Sequence, residues 1–546
     1  MTMNTHHRGS AELVRFLSEH DVKHVFGLPG SSMVAPLWEM QRTDIAFVPA
    51  IHESVAVAAA DGYARVAGSA MVMLYMLPGV ANGLANLYNA WRDESPLIVI
   101  ASQQASKFRS GGATVGEGDL VELMRPYTRL AHEISPGSHV RAWLERARRV
   151  SAGAQPGPVF LSIPEDVFEE LGPADDVRVS TSPQGASPDP GPVARTLLEA
   201  ERPLILVGGQ LRRFGGSEVV EELATKHGIA LAYETGFPDR YGVAPGHPNC
   251  FGRITEAAKL EASADAVVAI GTRFLLEAHP RPSWFNGASF TAQVNADPLK
   301  LEETKSVDWS AVADPGAFAG VLAERLNVNP PAVQLLARRK KWLESLRDDA
   351  ALSRPRPLME SYFRALAPLH DALDHGWLVD ESVMGVGPLS RTLTALDGRR
   401  YVGTTGASLG WATGAAAGVA LASNEPVTCL LGDGALRFGA LGLWTIRAQN
   451  LPVTIVVIDN GGYGSTRFFE RQFVERLGPQ ANPQHAGYLG SDLRGTGSTV
   501  KGVIEGFGIP TTVVPSEGDA RAAVQSSWAK VANGPNAVVI EMEFGE

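Results

Sequence analysis

Short apolar runs recur along the chain, and each is followed by a turn and then by a stretch with helical periodicity. In the first third, helical stretches near Ser54–Arg65 and Gly79–Trp91 separate runs of β-branched and aliphatic residues. Alternating strands and helices are typical of βαβ units on a parallel sheet. The predicted strands of this region are His24–Gly27, Ile45–Val48, Ala70–Leu74, Leu97–Ala101 and Val159–Ile163.

Two turn-rich segments, Ser182–Pro192 and Arg354–Pro357, divide the chain and are interpreted as linkers. A charged helix, Arg338–Asp348, precedes the second of them. The fold is predicted to be α/β, with three doubly wound parallel-sheet domains at residues 1–183, 190–340 and 356–546. The first and third domains look like variations on one architecture. The strands of the second domain are predicted at Pro203–Val207, Ala266–Ile270 and Phe290–Val294. Those of the third domain are predicted at Trp377–Val379, Val427–Leu431, Val453–Ile458 and Ala537–Glu541.

Composition narrows the class of protein. A chain of 546 residues is too long for one core, and 45% hydrophobic with 20% charged residues is ordinary for a globular protein. The net charge of −11, without a basic cluster, argues against a nucleic-acid partner. Cys250 and Cys429 form no CxxC pair, which favours a cytoplasmic location. Gly410–Ala422 is the longest apolar stretch and is too short to span a membrane, so a buried helix is predicted there.

Polar residues follow two predicted strands of the third domain. Gly432-Asp433-Gly434 comes directly after Val427–Leu431, and Asp459-Asn460 comes after Val453–Ile458. Open α/β sheets bind ligands at the carboxyl ends of their strands, and Asp and Asn oxygens suit Mg²⁺. A lone Gly-Asp-Gly is usually an ordinary turn. The paired spacing, with the turn Gly461–Gly464 after it, supports function and structure about equally.

Two features of the first domain are weaker when taken alone. Glu53 opens an apolar helix, where an acidic residue is commonly just a favourable charge at the helix N-terminus. The glycine-rich loop Gly27–Ser32 follows a strand and is of a kind that binds anions.

Taken together and in order, these segments resemble the thiamine diphosphate-dependent decarboxylase and acetohydroxyacid synthase superfamily. The resemblance runs from about Ala11 to Val539, and its wording is closest to the benzoylformate decarboxylases. The matching segments are Val25–Ser31, Asn89–Trp91, Ser95–Val99, Gln103-Gln104, Gly157–Val159, Ile458–Gly464 and Arg467–Phe469.

The resemblance implies an enzyme with pyrimidine-binding, central and diphosphate-binding domains and with thiamine diphosphate and Mg²⁺ as cofactors. Glu53 matches the glutamate that hydrogen-bonds the pyrimidine ring, and Leu409 matches an aliphatic residue under the cofactor, with a plain core leucine as the alternative. Asp433, Asn460 and the carbonyl of Gly462 match the magnesium ligands. Four further residues are expected to line the phosphates: Gly432, Gly434, Ala435 and Tyr463. In this family the site lies between two subunits, which implies a homodimer or homotetramer.

On the substrate side, Ser31 matches a serine that binds the substrate carboxylate, and Phe469 matches an aromatic residue near the substrate. Tyr75 stands where benzoylformate decarboxylases have a histidine, and the segment Pro78-Gly79-x-x-Asn82 after it is similar to the synthases. The second family histidine aligns at Ala278, one residue from His279. Gln103 is a further candidate for binding the substrate, and His52 is a further candidate for the role of the family histidine. The segment Glu470–Ser498 is interpreted as a mobile lid.

Three hypotheses follow for the function. The first is decarboxylation of a small 2-oxo acid of the benzoylformate type. The second is a carboligase that resembles acetohydroxyacid synthase and joins two carbonyl compounds, such as a 2-oxo acid and an aldehyde. The third is a cofactor-binding homologue without turnover. Gly208-Gly209-Gln210 is too slight a motif to imply the FAD that some synthases carry.

Overall fold

The computed structural model describes most of the chain. Described are residues 6–109, 118–173, 187–234, 238–274, 284–328, 330–352, 357–369, 373, 376–393, 400–478, 489–494, 499–515 and 519–542. His279, Ala278 and much of the predicted lid lie outside these residues.

The described residues form three six-stranded sheets, and every strand pair within them is parallel. The first sheet has the order β3-β2-β4-β5-β7-β6. A separate antiparallel pair is formed by β1 (His6–Arg8) and β8 (Leu171–Pro173), which come before and after the strands of the first sheet in the chain. The strands of the first sheet are β2 (His24–Gly27), β3 (Ala46–Pro49), β4 (Ala70–Tyr75), β5 (Leu97–Gln103), β6 (Leu130–Glu133) and β7 (Val159–Pro164).

The middle sheet is built in a different order from the other two. Its order is β11-β10-β9-β12-β13-β14, in which the chain first moves outward on one side and then on the other. This is the doubly wound arrangement of dinucleotide-binding folds. Its strands are β9 (Pro203–Val207), β10 (Ala230–Tyr233), β11 (Cys250–Arg253), β12 (Ala266–Ile270), β13 (Phe290–Asn295) and β14 (Trp309–Val312).

The third sheet repeats the first. Its order, β16-β15-β17-β18-β20-β19, matches the first sheet strand for strand in chain order. The prediction that the first and third domains are variations on one architecture agrees with this match. Its strands are β15 (Trp377–Glu381), β16 (Tyr401–Val402), β17 (Val427–Gly432), β18 (Val453–Asp459), β19 (Thr511–Val514) and β20 (Asn536–Glu541).

Helices connect the strands. Around the first sheet they are Gly9–Glu19, Val34–Met40, Glu53–Ala67, Met76–Arg92, Ser106–Arg109, Leu120–Met124, Val140–Ser151 and Glu165–Glu169. Around the middle sheet they are Gly191–Glu199, Gly209–Arg213, Ser217–His227, Ala258–Ser263, Pro315–Val328 and Val333–Leu352. Around the third sheet they are Pro357–Leu366, Val386–Thr392, Ala412–Ser423, Asp433–Gly439, Gly442–Ala448, Gly464–Arg476, Val500–Gly506 and Ala520–Trp528.

Two helices that pack against each other connect the region of the first sheet with the region of the third sheet. They are the Glu53 helix (Glu53–Ala67) and the alanine-rich helix (Ala412–Ser423). A Cβ at Gly62 would overlap the Ala415 backbone, and one at Gly418 would overlap the Ala59 carbonyl, so glycine permits this close crossing. The alanine-rich helix is almost wholly buried, as predicted for Gly410–Ala422.

Buried charges lie beside this crossing. The Arg65 guanidinium donates to Asp61 at 2.8 Å and to Asp93 at 2.6 Å, and Trp411 Nε1 donates to Asp61 at 2.7 Å. Because the guanidinium donates to both buried carboxylates, the network fixes the two regions against each other without leaving a buried charge unpaired.

The predicted strands are confirmed in place, with ends that differ by a residue or two. The strands that the sequence pattern missed include five at sheet edges, where only short or half-buried apolar runs are needed. They are β6, β11, β14, β16 and β19. The charged helix is longer than predicted, Val333–Leu352, and its Leu343 and Leu346 pack into the core of the middle sheet. The domain boundaries stay predictions. No helix in the described part of the chain is long and apolar enough to cross a membrane.

Candidate functional site

The motifs of the third sheet meet at one edge. Strands β17 and β18 are neighbours, and Gly432 is paired with Ile458. Asp433 therefore follows its strand directly beside the point where Asp459 and Asn460 follow theirs. This edge carries the predicted metal ligands and phosphate-lining residues.

Asp433 is a buried carboxylate whose hydrogen bonding is incomplete. Its side chain is 1% exposed, and among the described residues its Oδ2 has no hydrogen-bond partner. Burial, and then the neighbouring Asp459 charge, raise the pKa of Asp433 to about 7. A buried oxygen that only accepts is costly unless a donor or a cation meets it.

Asn460 is held on both sides of its amide. Its Oδ1 accepts from the backbone N–H of Gly462 at 3.0 Å, and its Nδ2 donates to the hydroxyl of Tyr362. Tyr362 is buried, which raises its pKa to about 12, so its hydroxyl stays protonated near neutral pH. The tyrosine therefore fixes which face of the Asn460 amide presents its oxygen.

The turn after Asn460 requires glycine. Gly461 has φ +72°, and a Cβ at Gly462 would overlap the Ser491 carbonyl and the Arg467 guanidinium. Arg467 Nη2 donates to the carbonyls of Gly461 and Ser491, each at 3.2 Å. A buried arginine thus clamps the turn on which the Gly462 carbonyl lies.

Leu409 borders a cleft rather than being fully enclosed in the core. Next to it, the backbone N–H groups of Gly410, Trp411 and Ala412 donate to the Glu381 carboxylate at 2.7, 3.3 and 2.8 Å. Burial raises the pKa of Glu381 to about 7, and these three donors oppose the rise. The cleft has a volume of about 400 Å³. Its lining includes Leu409, Glu381, Val383, Val386, Ala407 and Tyr401.

Glu53 lies at the carboxyl edge of the first sheet. It is the first residue of its helix, and its Oε2 accepts from Asn82 Nδ2 at 3.1 Å. The Gly79 backbone faces the other oxygen, since a Cβ there would lie 3.2 Å from Oε1. His52 is the N-cap, because its Nδ1 accepts from the Ser54 N–H at 3.2 Å.

Ser31 and Tyr75 meet at the switch point of the first sheet, between β2 and β4, where such folds bind ligands. Their hydroxyl oxygens are 3.3 Å apart, and the Tyr75 ring lies over Gly30, where a Cβ would overlap it. Gln103 ends β5, is 1% exposed, and accepts from the backbone of Gln104 at 2.9 Å. Phe469 lies on helix Gly464–Arg476 and is 45% exposed.

The predicted lid, Glu470–Ser498, begins as helix. Glu470 to Arg476 are the last residues of helix Gly464–Arg476, and residues 489–494 return to the Gly462 turn through the Ser491 carbonyl. The remaining residues of that segment, 479–488 and 495–498, lie outside the described residues.

At the middle sheet the switch point lies between β9 and β12, and protein side chains fill it. Gln210 Oε1 accepts from the Ala296 N–H at 3.1 Å, while its Nε2 donates to both oxygens of Glu94 at 3.1 and 3.0 Å. Glu94 also pairs with Lys300 and, at 3.2 Å, with Arg213. A residue of the first domain thus occupies the place where a dinucleotide phosphate binds in similar folds.

Sequence reasoning gave no role to Glu381, Tyr362, Asn82 or Arg467. Glu381 is the last residue of strand β15, and Asp433 comes directly after strand β17. A charged residue at the end of an apolar run was therefore the signal that could have identified Glu381. Tyr362 lies almost a hundred residues before Asn460, and no local pattern joins them.

Comparison with known proteins decides the family. The family description "Thiamine pyrophosphate enzyme, N-terminal TPP binding domain" matches residues 7–123, "central domain" matches 192–322, and "C-terminal TPP binding domain" matches 385–542. The chain belongs to the thiamine pyrophosphate enzymes. The recognition made from the motifs is confirmed, and so is the cofactor thiamine diphosphate.

Individual thiamine pyrophosphate enzymes are similar at low identity. Benzoylformate decarboxylase of Pseudomonas aeruginosa is 26% identical over 485 residues, covering 86% of this chain and 88% of that protein. The large subunit of acetolactate synthase isozyme 3 of Escherichia coli is 27% identical over 492 residues, covering 84% and 83%. The crystal structure of benzoylformate decarboxylase from Polynucleobacter necessarius superposes with a TM-score of 0.82 at 22% identity, covering 98% and 99%. This superposition confirms the three-domain α/β fold.

Proposed function

We propose that this chain uses thiamine diphosphate and Mg²⁺ to cleave or form a carbon–carbon bond next to a carbonyl, and that its principal reaction is decarboxylation of a 2-oxo acid. The observation that carries the proposal is that Asp433 Oδ2, beside Asn460 and the Gly462 turn, has no hydrogen-bond partner in the part of the chain that the structure describes. A carboxylate, an amide oxygen and a main-chain carbonyl are hard ligands that leave room for phosphate oxygens around Mg²⁺. The residues present therefore fit the metal.

In this proposal the third sheet holds the diphosphate end. Asp433, Asn460 and the Gly462 carbonyl bind Mg²⁺, and Gly432, Gly434, Ala435 and Tyr463 line the phosphates. The helix Asp433–Gly439 begins here, so its N–H groups point toward the anion. Leu409, on the border of the cleft, supports the rings of the cofactor.

Glu53 orients and polarises the pyrimidine end. One carboxylate oxygen is held by Asn82, and the other faces Gly79, whose missing side chain leaves it accessible. When bound, thiamine diphosphate supplies a carbon nucleophile and an electron sink for the bond that breaks. Ser31 and Tyr75 provide hydroxyl groups that donate to a substrate carboxylate.

Glu53→Gln tests this assignment. The amide keeps the shape of the side chain but not its charge, and turnover is expected to fall roughly 10²- to 10⁴-fold, as for loss of a general acid–base group. Cofactor and Mg²⁺ should still bind, measured by quenching of tryptophan fluorescence. Full turnover in this variant would rule out the role of Glu53.

We also propose that the site is completed by a second copy of the chain, in a homodimer or a homotetramer of two such dimers. Exposed apolar side chains close in sequence to the Glu53 half and to the Asp433 and Asn460 half of the site support this. Ile51 is 41%, Phe438 62% and Phe473 55% exposed. Apolar surface of this kind marks protein interfaces.

Coexpression of Glu53→Gln and Asp433→Ala chains tests the shared site. In a hybrid dimer one site would have both residues intact, so random pairing is expected to restore about a quarter of wild-type activity. Each variant purified alone and mixed without exchange of subunits is the control. Sites contained within single chains would give no recovery.

A carboligase reaction is the second candidate, and Tyr75 favours it. A tyrosine stands where benzoylformate decarboxylases have a histidine, and similarity extends to an acetolactate synthase. A panel of 2-oxo acids, incubated with and without an aldehyde, separates the two by CO₂ release and product mass. Release of CO₂ together with free aldehyde supports decarboxylation, and a joined product supports ligation. If no acid gives either product, the hypothesis of a non-catalytic homologue is the one that remains.

A further inference from the structure

One face of helix Met76–Arg92 is built from glycine and asparagine and lies against the start of the Glu53 helix. Gly79 and Gly83 are four residues apart, as are Asn82 and Asn86, and each glycine comes three residues before one of the asparagines, so the four residues share a face. A Cβ at Gly83 would lie 3.8 Å from the Glu53 Cβ and 3.1 Å from a Val57 methyl group. This face therefore permits the two helices to approach closely at Glu53.

The asparagines of this face donate hydrogen bonds to the first two residues of the Glu53 helix. Asn82 Nδ2 donates to Glu53 Oε2 at 3.1 Å. One turn along, Asn86 Nδ2 donates to the carbonyl of Ser54 at 3.0 Å and to its hydroxyl at 2.8 Å. The side chain of Glu53 and the backbone beside it are thus fixed by the same helix.

The last asparagine reaches the third domain. Asn89 Nδ2 donates to Asn86 Oδ1 at 3.0 Å and to the Ser408 carbonyl at 2.8 Å, while Asn89 Oδ1 accepts from the Ser408 N–H at 3.1 Å. A Cβ at Gly406 would overlap Asn89, which explains the glycine. The helix is therefore anchored to the segment that leads into Leu409, and its position is not free to drift.

We propose that Asn82 is a positioning residue that selects the productive rotamer of the Glu53 carboxylate. This inference rests on the proposed role of Glu53 and extends it to a residue that acts only through the glutamate. The amide engages Oε2 and leaves Oε1, next to Gly79, as the oxygen that would meet the cofactor. An unheld glutamate at a half-exposed helix start samples several rotamers, and misplacement by about 1 Å is enough to cost roughly 100-fold in rate.

The test uses Asn82→Ala, which removes the donor, and Asn82→Asp, which keeps the shape but places a carboxylate against Glu53. Three quantities are measured on full-length protein: the melting temperature without cofactor, the dissociation constant for thiamine diphosphate with Mg²⁺, and the rate of C2 hydrogen exchange of the bound cofactor by NMR. Asn327→Ala and Asn327→Asp are the matched controls, because Asn327 is an exposed asparagine of the middle domain bonded to Lys226.

The proposal predicts C2 exchange roughly 10- to 100-fold slower in Asn82→Ala, and slower still in Asn82→Asp. The melting temperature and the dissociation constant should stay near wild type, as they should in both Asn327 variants. Asn82→Ser, which retains a shorter donor, should recover part of the exchange rate. Gly79→Ala is a second probe, since its methyl group would crowd Oε1 and slow exchange without touching Asn82.

Exchange at the wild-type rate in both Asn82 variants would overturn the proposal. So would wild-type exchange in Asn82→Asp with slow exchange in Asn82→Ala, because shape rather than the donated hydrogen bond would then matter. Glu53→Gln separates the two levels: normal exchange in that variant contradicts the role of Glu53 itself. Slow exchange there, with normal exchange in the Asn82 variants, contradicts only the inference about Asn82.

Discussion

The middle and third sheets are both doubly wound, yet their carboxyl edges differ in what completes them. At the middle sheet, Gln210 has hydrogen bonds on both its amide oxygen and nitrogen, and Glu94 is neutralised by Lys300 and Arg213. At the third sheet, Asp433 is equally buried but has an oxygen without a partner among the described residues, and its pKa is raised to about 7. The carboxyl edge of the middle sheet is complete as protein. At the edge of the third sheet one buried carboxylate oxygen is left for another group to meet, and in our proposal that group is Mg²⁺.

This difference shows what topology does and does not decide. The carboxyl edge of a doubly wound sheet is the place where a ligand fits, in both domains. The side chains at that point determine whether the place is used. In the middle domain a glutamate from the first domain fills it and fixes two domains together, so the same geometry performs a structural task.

Asp433→Ala is expected to give the largest effect at the third sheet. Loss of a direct ligand should weaken cofactor binding by roughly 100-fold or more, since removing even an outer-shell partner costs 10- to 100-fold. The dissociation constant for thiamine diphosphate is measured with saturating Mg²⁺ and again with EDTA. Gln210→Leu, at the middle sheet, is the control and should leave that constant unchanged. Equal weakening in both variants would remove the contrast between the two edges.

Glu94→Ala should act on stability instead. It leaves Lys300 and Arg213 buried without their carboxylate, and breaking such a pair costs about 3–5 kcal/mol. Urea unfolding should show the loss to the same extent with and without cofactor. The control is Glu122→Ala, which breaks an exposed pair with Arg125 and should change the free energy of unfolding much less. A loss that appears only in the presence of cofactor would assign a ligand site to the middle edge.

Tyr362→Phe should produce the smallest effect. It removes the hydroxyl that accepts from Asn460 but preserves the ring, so Mg²⁺ affinity is expected to fall roughly 10-fold while the melting temperature changes little. Tyr233→Phe is the matched control, because that hydroxyl also makes a buried hydrogen bond, 3.0 Å to the Val243 carbonyl. Mg²⁺ affinity equal in both variants would show that Tyr362 does not orient Asn460.

Much of the fold could be predicted because buried parallel strands leave a plain apolar signature. Strands such as Pro203–Val207 and Ala266–Ile270 are found at the predicted bounds. Asp433 and Asn460 could be placed together because each follows such a strand. Short edge strands such as Tyr401–Val402 could not be predicted, since so few residues carry no periodicity.

The supporting residues were beyond reach for a different reason. Tyr362 and Asn460, or Glu94 and Gln210, are distant in sequence and meet only when domains and helices pack. Asn82 was noticed as part of a motif, but its bond to Glu53 depends on how two helices cross. Local pattern locates charged groups, whereas their partners are set by tertiary packing.

The most direct test of this account is a crystal structure of the protein with thiamine diphosphate and Mg²⁺ bound. We expect the metal to lie against Asp433, Asn460 and the Gly462 carbonyl. We expect a ring nitrogen of the pyrimidine to form a hydrogen bond with the Glu53 carboxyl group. A pyrimidine ring remote from every copy of Glu53, or a metal bound away from Asp433 and Asn460, would contradict it.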